Sequence, residues 1–175
     1  MSSHSCSDAP GVLRLFVYGT LKRGYWNHEA YCGSAVSIEE ATVRGRLYEL
    51  PSGIPVLEVP EQGILAHGSG DMLGDVALQQ HIEAGLAGHP ECEVEQWGQV
   101  QGELMVLPNP AETLPPIDLL EGCVSGTALT TYRRVLVPVV VAGRPTTAWC
   151  YAARGRLPVD ARHLKDCRWR LSNQY

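Results

Sequence analysis

With 175 residues, 45% of them hydrophobic and 19% charged, the chain can bury one core without a metal or disulfide staple, and it is too apolar to be disordered over its bulk. The net charge of −5 argues against a nucleic-acid partner. The richest apolar runs, Leu13–Val17 and Val135–Ala142, are strand-sized, which argues against a membrane partner.

Met1–Pro10 is polar and lacks the basic start and apolar centre of a secretory signal. Residues 1–12 read as a flexible N-terminal tail. Leu13–Tyr18 is rich in strand formers and stops at Gly19. Tyr18-Gly19-Thr20-Leu21-Lys22-Arg23-Gly24 then turns the chain. A Gly directly after a strand can point successive N–H groups into one concavity that holds a carboxylate or phosphate; the same pattern also fits an ordinary Gly turn. A phosphate-cradling loop of the Walker type needs Lys and Ser or Thr after its second Gly. Tyr25 and Trp26 stand there instead.

Asn27–Ala35 reads as a short helix or irregular link. Thr42–Leu50 is a second strand, stopped by Pro51-Ser52-Gly53, and Ile54–Val59 is an edge or irregular strand because of Pro55. Met72–Leu86 carries Leu73, Val76, Ala77, Gln80, Ile82 and Leu86 at loose helical spacing. Val100–Leu107 is a third clear strand. Ile117–Glu121, closed by Gly122, reads as a short helix. Asp118 and Glu121 lie one turn apart on it and can share a face. A carboxylate there is either solvated or, if walled by apolar groups, raised in pKa and able to take and return a proton. Val135–Ala142 and Thr146–Ala152 flank Gly143-Arg144-Pro145 as a hairpin, with Pro138 at an edge or bulge. From Arg154 onward few core-forming residues remain. Strands outnumber helices without regular alternation, which gives an α+β class.

Charge is uneven. No Lys or Arg occurs between Leu47 and Tyr132, whereas Arg133, Arg134, Arg154, Arg156, Arg162, Arg168 and Arg170 crowd the C-terminal part. The two regions are expected to meet and neutralise each other. The six cysteines are scattered with no C-x-x-C pair. They read as free thiols in a cytoplasmic protein, without a zinc site or other metal. Neither His89-Pro90-Glu91 nor the combination of Cys123 and His163 completes a catalytic pattern. Arg133-Arg134 fits an anion site or, alternatively, charges alternating across a half-exposed strand.

Phe16-Val17-Tyr18-Gly19-Thr20-Leu21-Lys22-Arg23-Gly24, followed by Asn27-His28, closely resembles the opening motif of the γ-glutamylcyclotransferase-like proteins, which include the AIG2-like and γ-glutamylamine cyclotransferase branches. Thr42–Tyr48, Val100–Leu104, Ile117–Gly122, Tyr132-Arg133-Arg134 and Ala148–Tyr151 resemble later blocks of that family, in its order. The resemblance implies a small mixed β-barrel with flanking short helices over residues 13–153, interrupted by an insertion at about 62–98 and followed by a C-terminal extension, 154–175. It implies that Glu121 is the catalytic acid/base and that the backbone of Tyr18, Gly19, Thr20 and Leu21 grips the polar end of a small-molecule γ-glutamyl substrate. Tyr18 and Tyr132 are expected to bring hydroxyls to the pocket. The implied reaction is intramolecular attack that converts a γ-glutamyl amine or amide to 5-oxoproline and free amine, without a cofactor. A γ-glutamyl-type acyl transferase using the same site, or a non-catalytic metabolite-binding or interaction barrel, are the alternatives. The 62–98 segment is expected to run over the surface as a lid, a homodimer contact or decoration, dispensable for the barrel.

Overall fold

Leu13, Leu15 and Val17 face one apolar cluster while Phe16 and Tyr18 face another, the period-two alternation of a strand buried on both sides. The computed structural model describes residues 11–85, 97–123 and 131–171. In chain order its elements are β1 (Leu13–Val17), α1 (His28–Cys32), β2 (Ser37–Glu49), β3 (Pro55–Glu58), β4 (Ala66–His67), α2 (Met72–Gly85), β5 (Gly98–Leu107), α3 (Pro110–Leu120), β6 (Tyr132–Val141), β7 (Arg144–Ala153) and β8 (Arg162–His163).

The strands run β1-β5-β2-β3-β7-β6-β4, and a parallel contact of Leu15 with Trp149 joins β1 back to β7. Five strands, β1, β5, β2, β3 and β7, thereby close a mixed barrel. Pairings of β5 with β1 and β2 are antiparallel, and those of β7 with β1 and β3 are parallel. The barrel interior holds Phe16, Val43, Leu57, Leu104 and Cys150, while Leu13, Leu15, Met105 and Trp149 face outward onto α1, α2 and α3. This is the α+β barrel with short flanking helices that the resemblance implied.

Several boundaries differ from the sequence reading, each for a local reason. β2 begins at Ser37 because Glu39 and Glu40, exposed and charged, still pair through their backbone with Leu104 and Glu103. α3 begins at Pro110, not Ile117, and continues through Pro115 and Pro116. Pro110 opens the helix, where its missing N–H costs nothing, and buried Leu114 and Ile117 anchor the prolines between them. The β6–β7 turn falls on Ala142 and Gly143, with φ of 50° and 74°, the two-residue hairpin geometry that matches strand twist. Pro138 faces Thr147 on β7, and no strand pairs with it on the other side, since β4 reaches only Leu136 and β2 touches β6 at Val140.

Two segments are bound into the fold more firmly than their composition suggested. On α2, Leu73 is exposed, whereas Asp75 and Gln79 are buried. The Gln79 amide accepts from the Arg14 N–H at 3.0 Å and donates to the Val12 carbonyl at 3.1 Å, so it serves the start of β1 as a strand's backbone would. Glu83 pairs with Arg14 and accepts from the Thr146 hydroxyl at 2.7 Å. The expected surface segment is therefore stitched to the barrel through polar groups that an apolar periodicity does not count. Likewise Leu164 and Trp169, beyond residue 154, lie in the barrel-interior cluster. Trp169 packs on Tyr25, and its carbonyl accepts from Lys22 Nζ at 2.9 Å.

The uneven charge resolves across the fold: Arg133 pairs with Glu61, Arg134 with Asp75 and Asp118, and Arg162 with Glu49. Among the described residues no helix is long and apolar enough to cross a membrane.

Candidate active site

β1 ends where the chain turns, and the turn consumes its own carbonyls. Gly19 O accepts from the Lys22 N–H at 3.1 Å, Thr20 O from Asn27 N–H at 3.2 Å, and Leu21 O bonds His28 Nδ1 at 2.9 Å. The Asn27 side chain also donates to Thr20 Oγ1 at 3.0 Å. With the carbonyls held inward, the N–H groups of Gly19, Thr20 and Leu21 meet no acceptor among the described residues. The same three residues line one wall of a narrow, open cleft. Gly19 does not adopt a left-handed φ. What requires a glycine is Pro55, whose Cγ would stand 2.8 Å from any added Cβ.

Glu121 faces the same cleft from the end of α3. Its position follows from how that helix stops. Gly122, with φ of 71°, donates to the Leu119 carbonyl at 3.1 Å, and Cys123 donates to the Asp118 carbonyl at 2.8 Å. This is the paired bonding of a Schellman cap, and it leaves Glu121 as the last residue in helical conformation. Burial, and secondly the charge of Asp118, push the Glu121 carboxyl up to about 7. Among the described residues no hydrogen bond to that carboxyl is present.

A family model described as gamma-glutamyl cyclotransferase, AIG2-like, matches residues 15–80 and 80–171. The chain belongs to this family. Among solved structures, that of YkqA from Bacillus subtilis superposes with a TM-score of 0.51 at 18% identity, covering 90% of this chain. The chain spans only 39% of YkqA's length. The uncharacterized protein PH0828 from Pyrococcus horikoshii gives 0.50 at 18% identity, with 90% of this chain and 89% of that one covered. At5g39720.1 from Arabidopsis thaliana gives 0.52 at 17% identity, over 89% and 78% of the two chains. These likenesses are of fold. No curated protein sequence matches the chain.

In this γ-glutamyl cyclotransferase-like chain, Tyr18, Gly19, Thr20, Leu21, Glu121 and Tyr132 all line one cleft, with Ile54, Pro55 and Tyr151 completing its walls. The hydroxyls expected from Tyr18 and Tyr132 are, however, already committed as donors. Tyr18 donates to the Tyr151 carbonyl at 2.5 Å and accepts from the Leu57 N–H at 3.2 Å. Tyr132 donates to the Pro55 carbonyl at 2.7 Å. Burial raises the pKa of both phenols, so both stay neutral and serve as walls and struts.

Tyr151 and Pro55 escaped the sequence reading, and Arg134 entered it only as part of a candidate anion site or a half-exposed strand. Arg134 looked like a charge on a half-exposed strand; it is buried between Asp75 and Asp118 and lies 5.1 Å from the Trp149 ring. Of the two readings offered for Arg134, the anion site fits, with the Asp75 and Asp118 carboxylates as the anions. Cys123 donates to the Tyr132 carbonyl at 3.3 Å, whereas His163 packs on Tyr48, so the two have separate surroundings. His89-Pro90-Glu91 lies outside the described residues. Among the described residues no cluster of His, Cys, Asp and Glu could hold a metal ion.

Proposed function

We propose that this chain cyclises a γ-glutamyl amine or amide to 5-oxoproline and a free amine. Family membership supports cyclotransferase-type activity in general terms. The observation that carries the specific reading is the pairing, across one cleft, of a carboxyl that titrates near neutrality with a loop of unspent N–H groups.

The chemistry requires little more. The substrate's α-nitrogen attacks its own γ-carbonyl, a C–N bond forms, and the bond to the leaving amine breaks. The α-nitrogen sheds two protons between ammonium and lactam, and the leaving amine gains two to depart as an ammonium. Glu121 carries protons between them, a task suited to a carboxyl near the working pH. The N–H groups of Gly19, Thr20 and Leu21 hold the substrate carboxylate or the developing oxyanion. Because both reacting groups belong to one molecule, the apolar walls from Ile54, Pro55 and Tyr132 act mainly by holding it curled.

Incubating the protein with a panel of γ-glutamyl amides and assaying 5-oxoproline tests this. Release of 5-oxoproline is expected, and Glu121→Gln should fold normally while losing about 10²–10⁴-fold in turnover. Near-full activity in that variant ends the mechanism. A new γ-glutamyl conjugate without 5-oxoproline would instead support acyl transfer, and binding with no product would support a non-catalytic barrel.

A further inference from the structure

One turn before Glu121, Asp118 is only 8% exposed, and three donors hold its carboxylate. Arg134 Nε reaches Oδ1 at 2.9 Å, Arg134 Nη2 reaches Oδ2 at 3.2 Å, and the Tyr151 hydroxyl reaches Oδ1 at 2.6 Å. Arg134 is itself clamped. Its Nη1 donates to Asp75 at 2.9 Å and its Nη2 to the Ser69 carbonyl at 2.9 Å, so the guanidinium ties α2 to α3 across β6. Such a forked, buried pair fixes the direction of the Asp118 carboxylate.

Among the described residues, the other titratable groups around Glu121, the raised phenol of Tyr151 on β7 included, carry no charge at neutral pH. Tyr18 follows β1, Tyr132 lies on β6, Cys32 on α1, and Cys123 follows α3. Burial is the main cause that pushes each of them up, the two thiols to about 12. Asp118 is thus the ionised neighbour of Glu121 among the described residues, and the same residue's carbonyl receives the Cys123 N–H that closes the helix cap.

We propose that Asp118, clamped by Arg134 and Tyr151, is a positioning residue that fixes the place and the electrostatic surroundings of Glu121, and that Arg134 thereby makes α2 a working part of the site. The proposal rests on Glu121 being the acid/base. It gives the polar stitching of α2 a purpose beyond stability: the helix holds the arginine that holds the aspartate. A like charge disfavours ionisation of its neighbour, so Asp118 keeps Glu121 protonated to higher pH than burial alone would.

The test follows the Glu121 carboxyl directly, by carbon-13 NMR of glutamate-labelled protein across pH, with Glu121→Gln assigning the signal. Asp118→Asn should lower its midpoint by roughly half a unit to one unit, since burial, the larger cause, remains. The acidic limb of the 5-oxoproline rate profile should move down with it. Asp75→Asn cuts the other arm of Arg134 without removing a charge beside Glu121, so it should lower stability and leave the midpoint unchanged. If Asp118→Asn alone does not fold, Asp118→Asn combined with Arg134→Gln removes both partners, and Asp75 keeps the Ser69 N–H and hydroxyl as donors, both at 2.8 Å. The midpoint should again fall. An unmoved midpoint in the folded aspartate variant, or equal shifts in the Asp118 and Asp75 variants, overturns the proposal. Because the titration needs no turnover, a shift without 5-oxoproline release would sink the cyclotransferase reading and leave this inference standing.

Discussion

Glu121 lowers the stability of the folded chain in order to be useful. Its folded pKa of about 7 lies above the ordinary 4.5, so the folded state binds the extra proton between those values and stability falls as pH rises through that window. Above pH 7 the cost is constant, at most about 3 kcal/mol from a shift of this size. Glu121→Gln should therefore raise the unfolding free energy more at pH 8 than at pH 4.5, as read by urea denaturation at the two values. The native enzyme's kcat/KM should rise with pH through about 7, because the base must be ionised to accept a proton. A stability gain equal at both pH values would mean that Glu121 titrates as an ordinary surface carboxyl. At Gly19 the constraint is steric. Val there would press on Pro55, whose carbonyl holds the Tyr132 hydroxyl, so the displacement should spread along the pocket wall. A loss of about 1–3 kcal/mol and of substrate binding is expected, and normal binding calorimetry with Gly19→Val would show that the loop does not grip the substrate.

At the scale of elements, α2 is the decisive case. Removing it takes buried Val76 out of the cluster on the barrel's outer face and leaves the Arg14 N–H, the Val12 carbonyl and one arm of Arg134 without these partners. Each unsatisfied buried group costs about 1–3 kcal/mol. Replacing Met72–Gly85 with a Gly/Ser link should therefore abolish cooperative thermal unfolding or lower its midpoint steeply. A shortened chain with unchanged stability would return the segment to the role of a surface decoration. The sequence showed that a helix lies here and part of the face it buries. Apolar spacing was right for Val76, which is buried, and for Ile82, which packs on the core, but it also pointed to Leu73, which is exposed, and did not count the buried Asp75 and Gln79. Polar groups are buried only where partners from distant elements satisfy them, and those partners are not adjacent in sequence.

Across the whole molecule, the C-terminal part completes the barrel. Trp169 inserts into the interior cluster, packs on Tyr25 at 5.3 Å and Trp26 at 6.2 Å, and donates its indole N–H to Glu49 at 3.1 Å. Its carbonyl holds Lys22, the residue just after the cleft-facing loop. Trp169→Ala should cost about 3–5 kcal/mol, as for large buried aromatics, and should loosen the loop, seen as faster hydrogen exchange at Gly19–Lys22. Exchange unchanged at the loop would separate the barrel plug from the site.

The strand alternation of Leu13–Tyr18, the run Val135–Val141, the strand ending at Leu107, the Gly19 turn and the Gly122 stop were all legible in the sequence. They depend on period two and on glycines, which are local properties. Local pattern offered Glu121 and the Tyr18–Leu21 loop only as separate pieces, and the family resemblance alone joined them at one substrate. The tertiary structure shows how they come to one cleft, through the contact that returns β1 to β7 and the helix cap that ends α3. It also turned Arg134 from a surface charge into a buried clamp and committed the Tyr18 and Tyr132 hydroxyls to backbone carbonyls. The physical reason is the same throughout. Residue type and spacing set which groups want burial and which turns can form, whereas pKa, hydrogen-bond commitment and steric room depend on partners tens of residues away that only closure of the barrel supplies.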